Sequence, residues 1–377
     1  MSVPTFTRVC IGELDNAPDM NTLFNVADLN RDGRPDIFSA GRNGLMAWFE
    51  NVGFGVFERH IIDEVTNQEC GGLAHDLDGD GWPDIINGGD WQSDELSWWR
   101  SPGTAGGRWQ RHLIAKTGFG QFHDEAIGEV TDEPGVLSLL FTNQQQGALG
   151  CIPLPADPTV SPWPGLTYIA QGMKENGQPE EGLEIADLDG DGRSEVVFGC
   201  HWYKFVAGEW EQHRYASGYI TTVIAVGDID GDGKPEIVLS EGDPCIYGHP
   251  EGGKLAWFKP GADLREPWAK HLIDDGLLDA HSLQVADLCG SGRLDLVVGE
   301  IGLADQLDER PPRLLLYENL GGGRFDRHII DQGMGTHHAR LADFRGAGVL
   351  DIASRPLHGP DKGNIFVWFN DLGGKVR

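Results

Sequence analysis

A nine-residue acidic loop recurs along the chain, and this repeat limits the possible folds more than any other feature. The pattern is D-x-[DN]-x-D-G-x-x-[DE], and intact copies begin at Asp28, Asp76, Asp187 and Asp228. Two weakened copies span Asp287–Asp295 and Asp343–Asp351. Self-similarity at a period of roughly 40–60 residues is typical of propellers, solenoids and repeat arrays.

The alternating carboxylates of each intact loop surround one point on a tight glycine turn. Several hard oxygen ligands in this arrangement suit Ca²⁺, so about four structural Ca²⁺ ions are expected. An EF-hand is the alternative, but it requires flanking helices, and the flanks here are β-rich. The predicted side-chain ligands are Asp28, Asn30, Asp32, Asp36; Asp76, Asp78, Asp80, Asp84; Asp187, Asp189, Asp191, Glu195; and Asp228, Asp230, Asp232, Glu236.

The two weakened loops lack ligands at two of these positions. Cys289 and Ser291 replace them in one copy, and Arg345 and Ala347 replace them in the other. We therefore expect both loops to be metal-free, with the guanidinium of Arg345 in place of the cation.

Each loop lies inside a longer unit of four short strands. Two apolar strands flank the loop, a W-[FY]-[EK]-like strand follows, and a strand of the form [FW]-x-[RK]-H-[LI]-I ends the unit. Four strands per unit are typical of a propeller blade. The interval between Asp76 and Asp187 is about twice the others, and His123–Val130 with Gly135–Phe141 predicts a degenerate blade there. The sequence thus predicts an all-β, seven-bladed propeller with four-stranded antiparallel blades.

The two ends of the chain predict how the ring closes. The last unit stops after its third strand, at Val367–Asp371, and the N-terminal segment Phe6–Ile11 has the character of a fourth strand. We expect this N-terminal strand to complete the last blade and to remove a sheet edge. One propeller domain then spans residues 1–377.

These motifs resemble the FG-GAP/VCBS-repeat propellers found in integrin heads, some lectins and several sugar lyases. The C-terminal segment around His337, with its W-F-N strand, is similar to the propeller of aldos-2-ulose dehydratase and to seven-bladed polysaccharide lyases. It departs from them at RPLHGPDKGN. The resemblance implies β-elimination from a sugar, although the acidic loops are specific for the architecture and not for function.

The composition of the chain limits the kinds of partner that it can bind. The net charge of −30 argues against nucleic-acid binding, and no long apolar run predicts a membrane span. Six cysteines without paired spacing leave free thiols and disulfides both open. Ca²⁺ loops favour a secreted or periplasmic protein, although the first residues do not read as a signal peptide. The oligomeric state is left open.

The first strand of each propeller blade lines the central channel. Six positions before each loop, or its equivalent, the chain carries Thr22, Cys70, His123, Glu181, Thr222, His281 and His337. From this column we predict a possible pore site for Zn²⁺ or another divalent metal at His123, Glu181, His281 and His337. A polar channel mouth holding ordered water is the alternative. The histidines of the fourth strands (His60, His112, His213, His271, His328) are predicted to be structural.

Loops that follow the second strands are expected on the same face as this column. Their His, Tyr, Arg and Trp side chains are typical of a carbohydrate site, in which an arginine clamps a carboxylate. The candidate catalytic residues are His123, His201, Tyr203, His281, His337 and His338. The candidate substrate-binding residues are Arg42, Asp90, Trp91, Tyr247, His249, Arg355 and His358. A carbohydrate lyase is the expected function, and a Ca²⁺-stabilised lectin or adhesion propeller, an inert scaffold and a hydrolase are the alternatives.

Overall fold

The structure is a computed structural model that describes residues 3–14, 21–302 and 309–374. Within these ranges the chain is almost entirely β-structure, with one short 3₁₀ helix at Asp371–Gly373. Seven antiparallel sheets follow one another along the chain. The prediction of a seven-bladed propeller is therefore confirmed. No helix in the described ranges is long and apolar enough to cross a membrane.

The strands are assigned to blades in chain order. Strand β1 is Phe6–Glu13. Blade 1 contains β2 (Asn21–Ala27), β3 (Asp36–Gly53) and β4 (Val56–Asn67); blade 2 contains β5 (Leu73–His75), β6 (Asp84–Gly88), β7 (Glu95–Arg100) and β8 (Gln110–Lys116); blade 3 contains β9 (Phe122–Gly128), β10 (Ser138–Asn143), β11 (Ala148–Pro153) and β12 (Thr167–Ala170). A small hairpin follows, β13 (Lys174–Glu175) and β14 (Gln178–Pro179).

The remaining blades continue the same order. Blade 4 contains β15 (Leu183–Ala186), β16 (Glu195–Phe198), β17 (His201–Val206) and β18 (Glu209–Arg214); blade 5 contains β19 (Thr222–Gly227), β20 (Glu236–Glu241), β21 (Gly253–Lys259) and β22 (Ala269–Leu277). Blade 6 contains β23 (Ser282–Ala286), β24 (Asp295–Gly299), β25 (Arg313–Gly321) and β26 (Arg324–Gln332); blade 7 contains β27 (His337–Ala342), β28 (Asp351–Arg355) and β29 (Asn364–Asn370).

Blade 1 differs in one respect, because β3 serves as two strands. Its first part, residues 36–41, pairs with β2, and its second part, residues 42–53, pairs with β4. Asn43 lies between the two parts with a left-handed backbone (φ 56). Asparagine tolerates this conformation better than most residues, which is consistent with a change of direction here.

The N-terminal strand closes the ring as the sequence predicts. Strand β1 pairs with β29 in antiparallel register, from Phe6 opposite Asn370 to Glu13 opposite Asn364. Blade 7 is thus completed by residues that come from the other end of the chain. This pairing covers the edge that β29 would otherwise expose.

The hydrophobic core lies between neighbouring blades. One cluster joins Val197 and Trp202 of blade 4 to Leu239 and Phe258 of blade 5. Similar clusters fill the other spaces between blades. Because apolar side chains are used there, the central channel is left for polar residues.

The repeated histidine of the fourth strand has a structural partner. In four blades its ring stacks on the tryptophan of the third strand, which lies opposite it in the β-ladder. The pairs and their centroid distances are Trp48–His60 at 4.7 Å, Trp98–His112 at 4.5 Å, Trp202–His213 at 4.2 Å and Trp257–His271 at 4.0 Å. In the fifth such blade, His328 lies opposite Leu316. These contacts agree with a structural role for the outer histidines.

The last carboxylate of each acidic loop forms a bracket between the loop and the strands. Asp295 is fully buried; its Oδ2 accepts hydrogen bonds from the backbone N–H groups of Leu288 and Cys289, both at 3.0 Å, and its Oδ1 accepts from Asn319 N at 2.9 Å. The equivalent residues are Asp36, Asp84, Glu195, Glu236 and Asp351, and all are buried. The full bracket is present in the weakened loop of Asp295, whereas in the other weakened loop Asp351 Oδ1 accepts from Asn370 N and Arg345, and its Oδ2 has no hydrogen-bond partner among the described residues.

Candidate functional site

The innermost strands place one polar residue from each blade at the same level of the channel. The seven column residues are all buried, at 1–5% exposure: Thr22, Cys70, His123, Glu181, Thr222, His281 and His337. Five of them, Thr22, Cys70, His123, His281 and His337, line one cavity, and Glu181 contacts His123 and His281.

A cavity of 130 Å³ opens at the channel mouth, above this layer. His123, His281 and His337 line it, together with residues from the loops that follow second strands. These loop residues include Arg42, Gln144, Asp243, Ile301 and His358. Loops of blades 1, 3, 5, 6 and 7 thus reach the cavity, whereas the predicted candidates of blades 2 and 4 do not line it.

A second cavity, of 270 Å³, lies along the channel on the other side of the histidines. His123 and His281 line both cavities, whereas His338 and Arg340 line only the inner one. The histidine layer thus separates the mouth of the channel from its interior.

His123 is held between two carboxylates. Its Nδ1 lies 2.9 Å from Asp124 Oδ2, and its Nε2 lies 3.5 Å from Glu181 Oε2. Asp124 also accepts a hydrogen bond from the backbone N–H of Gly182 at 3.1 Å. Burial disfavours the charged ring, but Glu181 and Asp124 outweigh it and raise the pKa of His123 well above its usual range.

His281 has a similar environment on the opposite side of Glu181. Its Nε2 lies 3.6 Å from Glu181 Oε2 and 3.5 Å from Asp243 Oδ2. Burial again opposes the charge, and Asp243 and Glu181 outweigh it, so the pKa of His281 is raised. Glu181 Oε2 has no hydrogen-bond partner among the residues that the structure describes.

His337 and His338 continue this cluster, because the His337 ring stacks on His281 at 4.8 Å and the His338 ring lies 5.5 Å from His123. Their rings stack at 4.5 Å with an interplanar angle of 8°, and His337 Nε2 lies 3.8 Å from Cys70 Sγ. Burial and nearby cationic groups lower the pKa of both rings well below the usual range. Of the four residues predicted to share a pore metal, His123, Glu181 and His281 therefore cluster together, and His337 lies against Cys70.

Two arginines approach this site in different ways. Arg42 lines the mouth cavity, and its Nε donates to Glu69 Oε2 at 3.0 Å. Arg355 is fully buried, and none of its three guanidinium nitrogens has a hydrogen-bond partner within the described ranges. Burial lowers the pKa of Arg355 to about 9. Arg42 is thus accessible to a ligand at the mouth, whereas Arg355 lies behind His337, its partner in the β-ladder.

Blade 4 does not bring its candidates to the channel. His201 Nδ1 pairs with Glu180 Oε2 at 3.2 Å, and Tyr203 is 1% exposed in the hydrophobic core between blades 3 and 4. Neither residue lines the mouth cavity. Burial raises the pKa of Tyr203, as expected for a phenol in a hydrophobic core.

The remaining candidates lie at increasing distance from the histidines. His358 lines the mouth cavity, and Tyr247 is 40% exposed on the same loop as Asp243, where burial and Asp243 raise its pKa to about 12. His249 pairs with Glu251 at 3.3 Å on the exposed surface. The other two come from one loop of blade 2: Asp90 is buried and Trp91 is 55% exposed.

Sequence reasoning did not assign roles to Cys70, Asp124, Asp243 or Gln144, all of which touch the histidine cluster. Cys70 was visible in the column, and Asp124 adjoins a column residue. Gln144, which hydrogen-bonds to Glu181, lies in the degenerate blade, where no loop motif marks its position.

The acidic loops lie at the opposite end of the blades, between first and second strands. Their carboxylates converge, because ligand atoms of Asp76, Asp78 and Asp84 lie within 4.8 Å of one another. Asp76 Oδ1 and Asp230 Oδ1 have no hydrogen-bond partner in the described part of the chain, as expected for cation ligands. The donor set therefore fits Ca²⁺.

Three of the four intact loops also receive a cationic side chain from the third strand. Lys204 Nζ contacts Asp189, Asp191 at 2.8 Å and Glu195 at 3.0 Å. Lys259 makes equivalent contacts in blade 5, and Arg100 contacts Asp78 at 2.6 Å. The first loop faces Glu50, which accepts from Asn30 Nδ2 at 2.9 Å. In the seventh blade, Arg345 contacts Asp351 at 2.9 Å, as the sequence predicts.

Comparisons with known proteins agree with this architecture. Residues 187–239 match the FG-GAP-like repeat family. No curated protein matches the chain. The BP39L lectin from Burkholderia pseudomallei is similar in structure, with a TM-score of 0.60, 15% identity, and coverage of 94% of this chain and 97% of the lectin.

Two further solved structures have the same fold. BBS1N in complex with ARL6DN gives a TM-score of 0.58 at 8% identity, covering 98% of both chains. The exotype rhamnogalacturonan lyase YesX gives a TM-score of 0.51 at 13% identity, covering 97% of this chain and 76% of the lyase. At these identities the likeness shows the propeller fold alone, and function must be argued from the site.

Proposed function

We propose that this protein is a carbohydrate-active carbon–oxygen lyase that performs β-elimination at the channel mouth. The observation that carries the proposal is the layer of buried imidazoles and carboxylates beneath a 130 Å³ cavity rimmed by Arg42. β-Elimination requires a base, a group that stabilises the enolate and an acid for the leaving oxygen. We assign the base and the enolate-stabilising group to residues at this mouth.

His123 is the best-placed proton-transfer residue. Asp124 fixes its Nδ1 at 2.9 Å, so Nε2 is the nitrogen left available to the site. Such a carboxylate–imidazole pair orients the ring and stabilises it when it gains a proton. A cation bound at Glu181 would offset the negative charge that raises the pKa of His123, and in that state we assign to its neutral ring the removal of the proton next to the substrate carboxylate.

Glu181, Asp243 and His281 are the residues that fit a divalent cation. Their ligand atoms lie within 4.8 Å of one another, and Glu181 Oε2 has no hydrogen-bond partner among the described residues. A cation bound there would stabilise negative charge on the enolate oxygen. This assignment keeps Glu181 and His281 from the predicted pore site and replaces His123 and His337 with Asp243.

Arg42 is the candidate for holding a uronate carboxylate. Its guanidinium lines the cavity and is already oriented by Glu69, which leaves other N–H groups for a ligand. Bidentate contact with a carboxylate is the geometry that guanidinium favours. A uronate-containing glycan is therefore the proposed substrate.

The test is turnover of uronate glycans, followed by the ultraviolet absorbance of the unsaturated product. We expect His123→Asn to lower kcat/KM by about 100-fold or more, as for loss of a general base. Arg42→Lys should mainly raise KM. His271→Asn is the matched control, because His271 stacks on Trp257 far from the mouth, and it should leave activity unchanged. Full activity in His123→Asn would refute the assignment.

Glycan binding without catalysis is the second candidate. Exposed aromatic side chains such as Trp91 and Tyr247 can stack on sugar rings. A lectin role predicts saturable binding of a glycan with no new ultraviolet absorbance. A stoichiometry above one glycan per chain would favour repeated pockets between blades over the single mouth site.

We further propose that Ca²⁺ binds the intact acidic loops and stabilises the blades, and that the protein is secreted or periplasmic, where Ca²⁺ is plentiful. In the loops with Arg100, Lys204 or Lys259, Ca²⁺ would have to displace the tethered cation. The first loop receives no such side chain from its own third strand among the described residues, although Arg34 of the loop itself contacts Asp32, and it offers Glu50 as a further carboxylate.

A further inference from the structure

Three metal-ligating side chains lie together at the histidine layer and take no part in the proposed elimination. Cys70, His337 and His338 are all buried, and their ligand atoms lie within 4.8 Å of one another. We propose that they bind a second metal ion, a borderline-soft divalent cation of the Zn²⁺ type. This site adjoins the one proposed at Glu181, Asp243 and His281, because the His337 ring stacks on the His281 ring at 4.8 Å.

The spacing of the ligand atoms is close to that of a tetrahedral site. Cys70 Sγ and His337 Nε2 are 3.8 Å apart. Metal–ligand bonds of about 2.3 Å to sulfur and about 2.0 Å to nitrogen place such atoms roughly 3.5 Å apart. A contraction of a few tenths of an ångström would therefore complete this pair. The Nδ1 atoms of both histidines are buried and, within the described ranges, have no partner.

The backbone is distorted to place both imidazoles on one side. Successive residues of a regular strand point to opposite faces, yet the His337 and His338 rings are nearly parallel at 4.5 Å. His338 adopts a left-handed backbone (φ 53), and the β27–β28 register shifts between His337 and Arg340. Such a conformation is strained in a non-glycine residue and is typical of functional sites.

The donor set selects the metal. One sulfur and two imidazole nitrogens suit Zn²⁺ and similar ions, and they disfavour Ca²⁺ and Mg²⁺, which prefer oxygen. On binding, the Cys70 S–H bond breaks, the proton leaves to solvent, and the sulfur lone pair binds the metal. The guanidinium of Arg355 interacts favourably with a Cys70 thiolate and has no hydrogen-bond partner in the described structure.

Three protein ligands leave a fourth position open. Cys70 and His337 both line the mouth cavity, so this position faces the place where a ligand would enter. Sites with three protein ligands and one exchangeable position are typical of catalytic zinc, whereas structural zinc has four. The ion would therefore be able to bind a water molecule or a small oxygen ligand at the mouth.

Cobalt substitution tests the site without reference to activity. The metal-free protein is titrated with Co²⁺, and the near-ultraviolet thiolate-to-cobalt absorption is recorded. We expect the wild type to show this band and Cys70→Ser to lose it, with Co²⁺ affinity at this site lowered by about 100-fold or more. Cys245→Ser is the matched control, because Cys245 lies on a loop of the same face, and it should keep the band.

A second variant guards against misfolding. His338→Gln should also weaken the band, with its melting temperature checked against the wild type. Absence of a thiolate band in the wild type would overturn the proposal, and so would a band that survives Cys70→Ser. Because the probe is the metal alone, the lyase assignment can fail while this site is confirmed, and the reverse also holds.

Discussion

The buried carboxylate at the end of each acidic loop should be a major source of stability, and Asp295 is the residue where this can be measured most clearly. Its loop carries Cys289 and Ser291 in place of metal ligands, so Ca²⁺ does not complicate the result. Asp295→Ala leaves the buried backbone N–H groups of Cys289 and Asn319 without their acceptor, and it removes the shorter of two hydrogen bonds from Leu288 N, which also donates to Ala286 O at 3.1 Å. At about 1–3 kcal/mol for each group, with partial relaxation, the expected loss is about 3–6 kcal/mol.

For a chain of this length, an unfolding entropy of about 2 cal/mol/K per residue converts that loss to a decrease of about 4–8 °C in Tm. Asp295→Asn keeps one acceptor oxygen and should lose about half as much. Asp326→Asn is the control, because the Asp326 side chain is 64% exposed, and it should change Tm by less than about 1 °C. The assay is thermal unfolding by circular dichroism, with and without EGTA. A Tm for Asp295→Ala within 1 °C of the wild type would refute the reasoning.

Three other predictions concern separate parts of the fold. Lys204→Gln removes the tethered cation from Asp191 and Glu195, so it should lower the free energy of unfolding by about 1–2 kcal/mol in EGTA. Added Ca²⁺ should then raise the stability of this variant more than that of the wild type. Lys234→Gln is the control, and identical Ca²⁺ responses would contradict the displacement model. Burial raises the pKa of Glu184 from 4.5 to about 7, so its neutral form stabilises the fold at low pH, and up to about 3 kcal/mol of this stability should be lost as the pH rises from 4.5 to 7. Urea unfolding of Glu184→Gln should lack this contribution to the pH dependence. A double-mutant cycle on Trp257 and His271 should give a coupling of about 0.5–1.5 kcal/mol, and a value near zero would mean that the stacking adds nothing beyond buried area.

The blade count and the ring closure could be predicted from the sequence because both depend on local patterns that repeat. Each acidic loop marks the turn between a first and a second strand, and each W-[FY] pair marks a third strand. Even the degenerate blade at His123 was recognisable, because its strand has the same apolar rhythm as the equivalent strand at His281. The residues at the channel mouth followed from the same alignment.

The grouping of side chains within the layer could not be predicted in the same way. The column showed that His337 is equivalent to His123 and His281, but its contact with Cys70 joins blade 7 to blade 2, which are not neighbours, and depends on side-chain packing across the channel and on the left-handed backbone at His338. Tyr203 shows a different error of inference. It occupies the [FY] position that Phe49 and Phe258 fill in other blades, and these residues are buried in the core, so the repeat itself indicated an interior position.

The pairing of β1 with β29 also has a consequence for how the molecule comes together. Thr7 and Asp371, 364 positions apart in the chain, share a hydrogen bond across this seam. During synthesis, six blades can form in order, but the seventh must wait until its third strand leaves the ribosome and meets the strand made first. The early strand must therefore stay unpaired for nearly the whole of translation. A circularly permuted gene that begins at blade 1 and encodes β1 after β29 would remove this delay, and comparison of refolding and co-translational yields would show its effect.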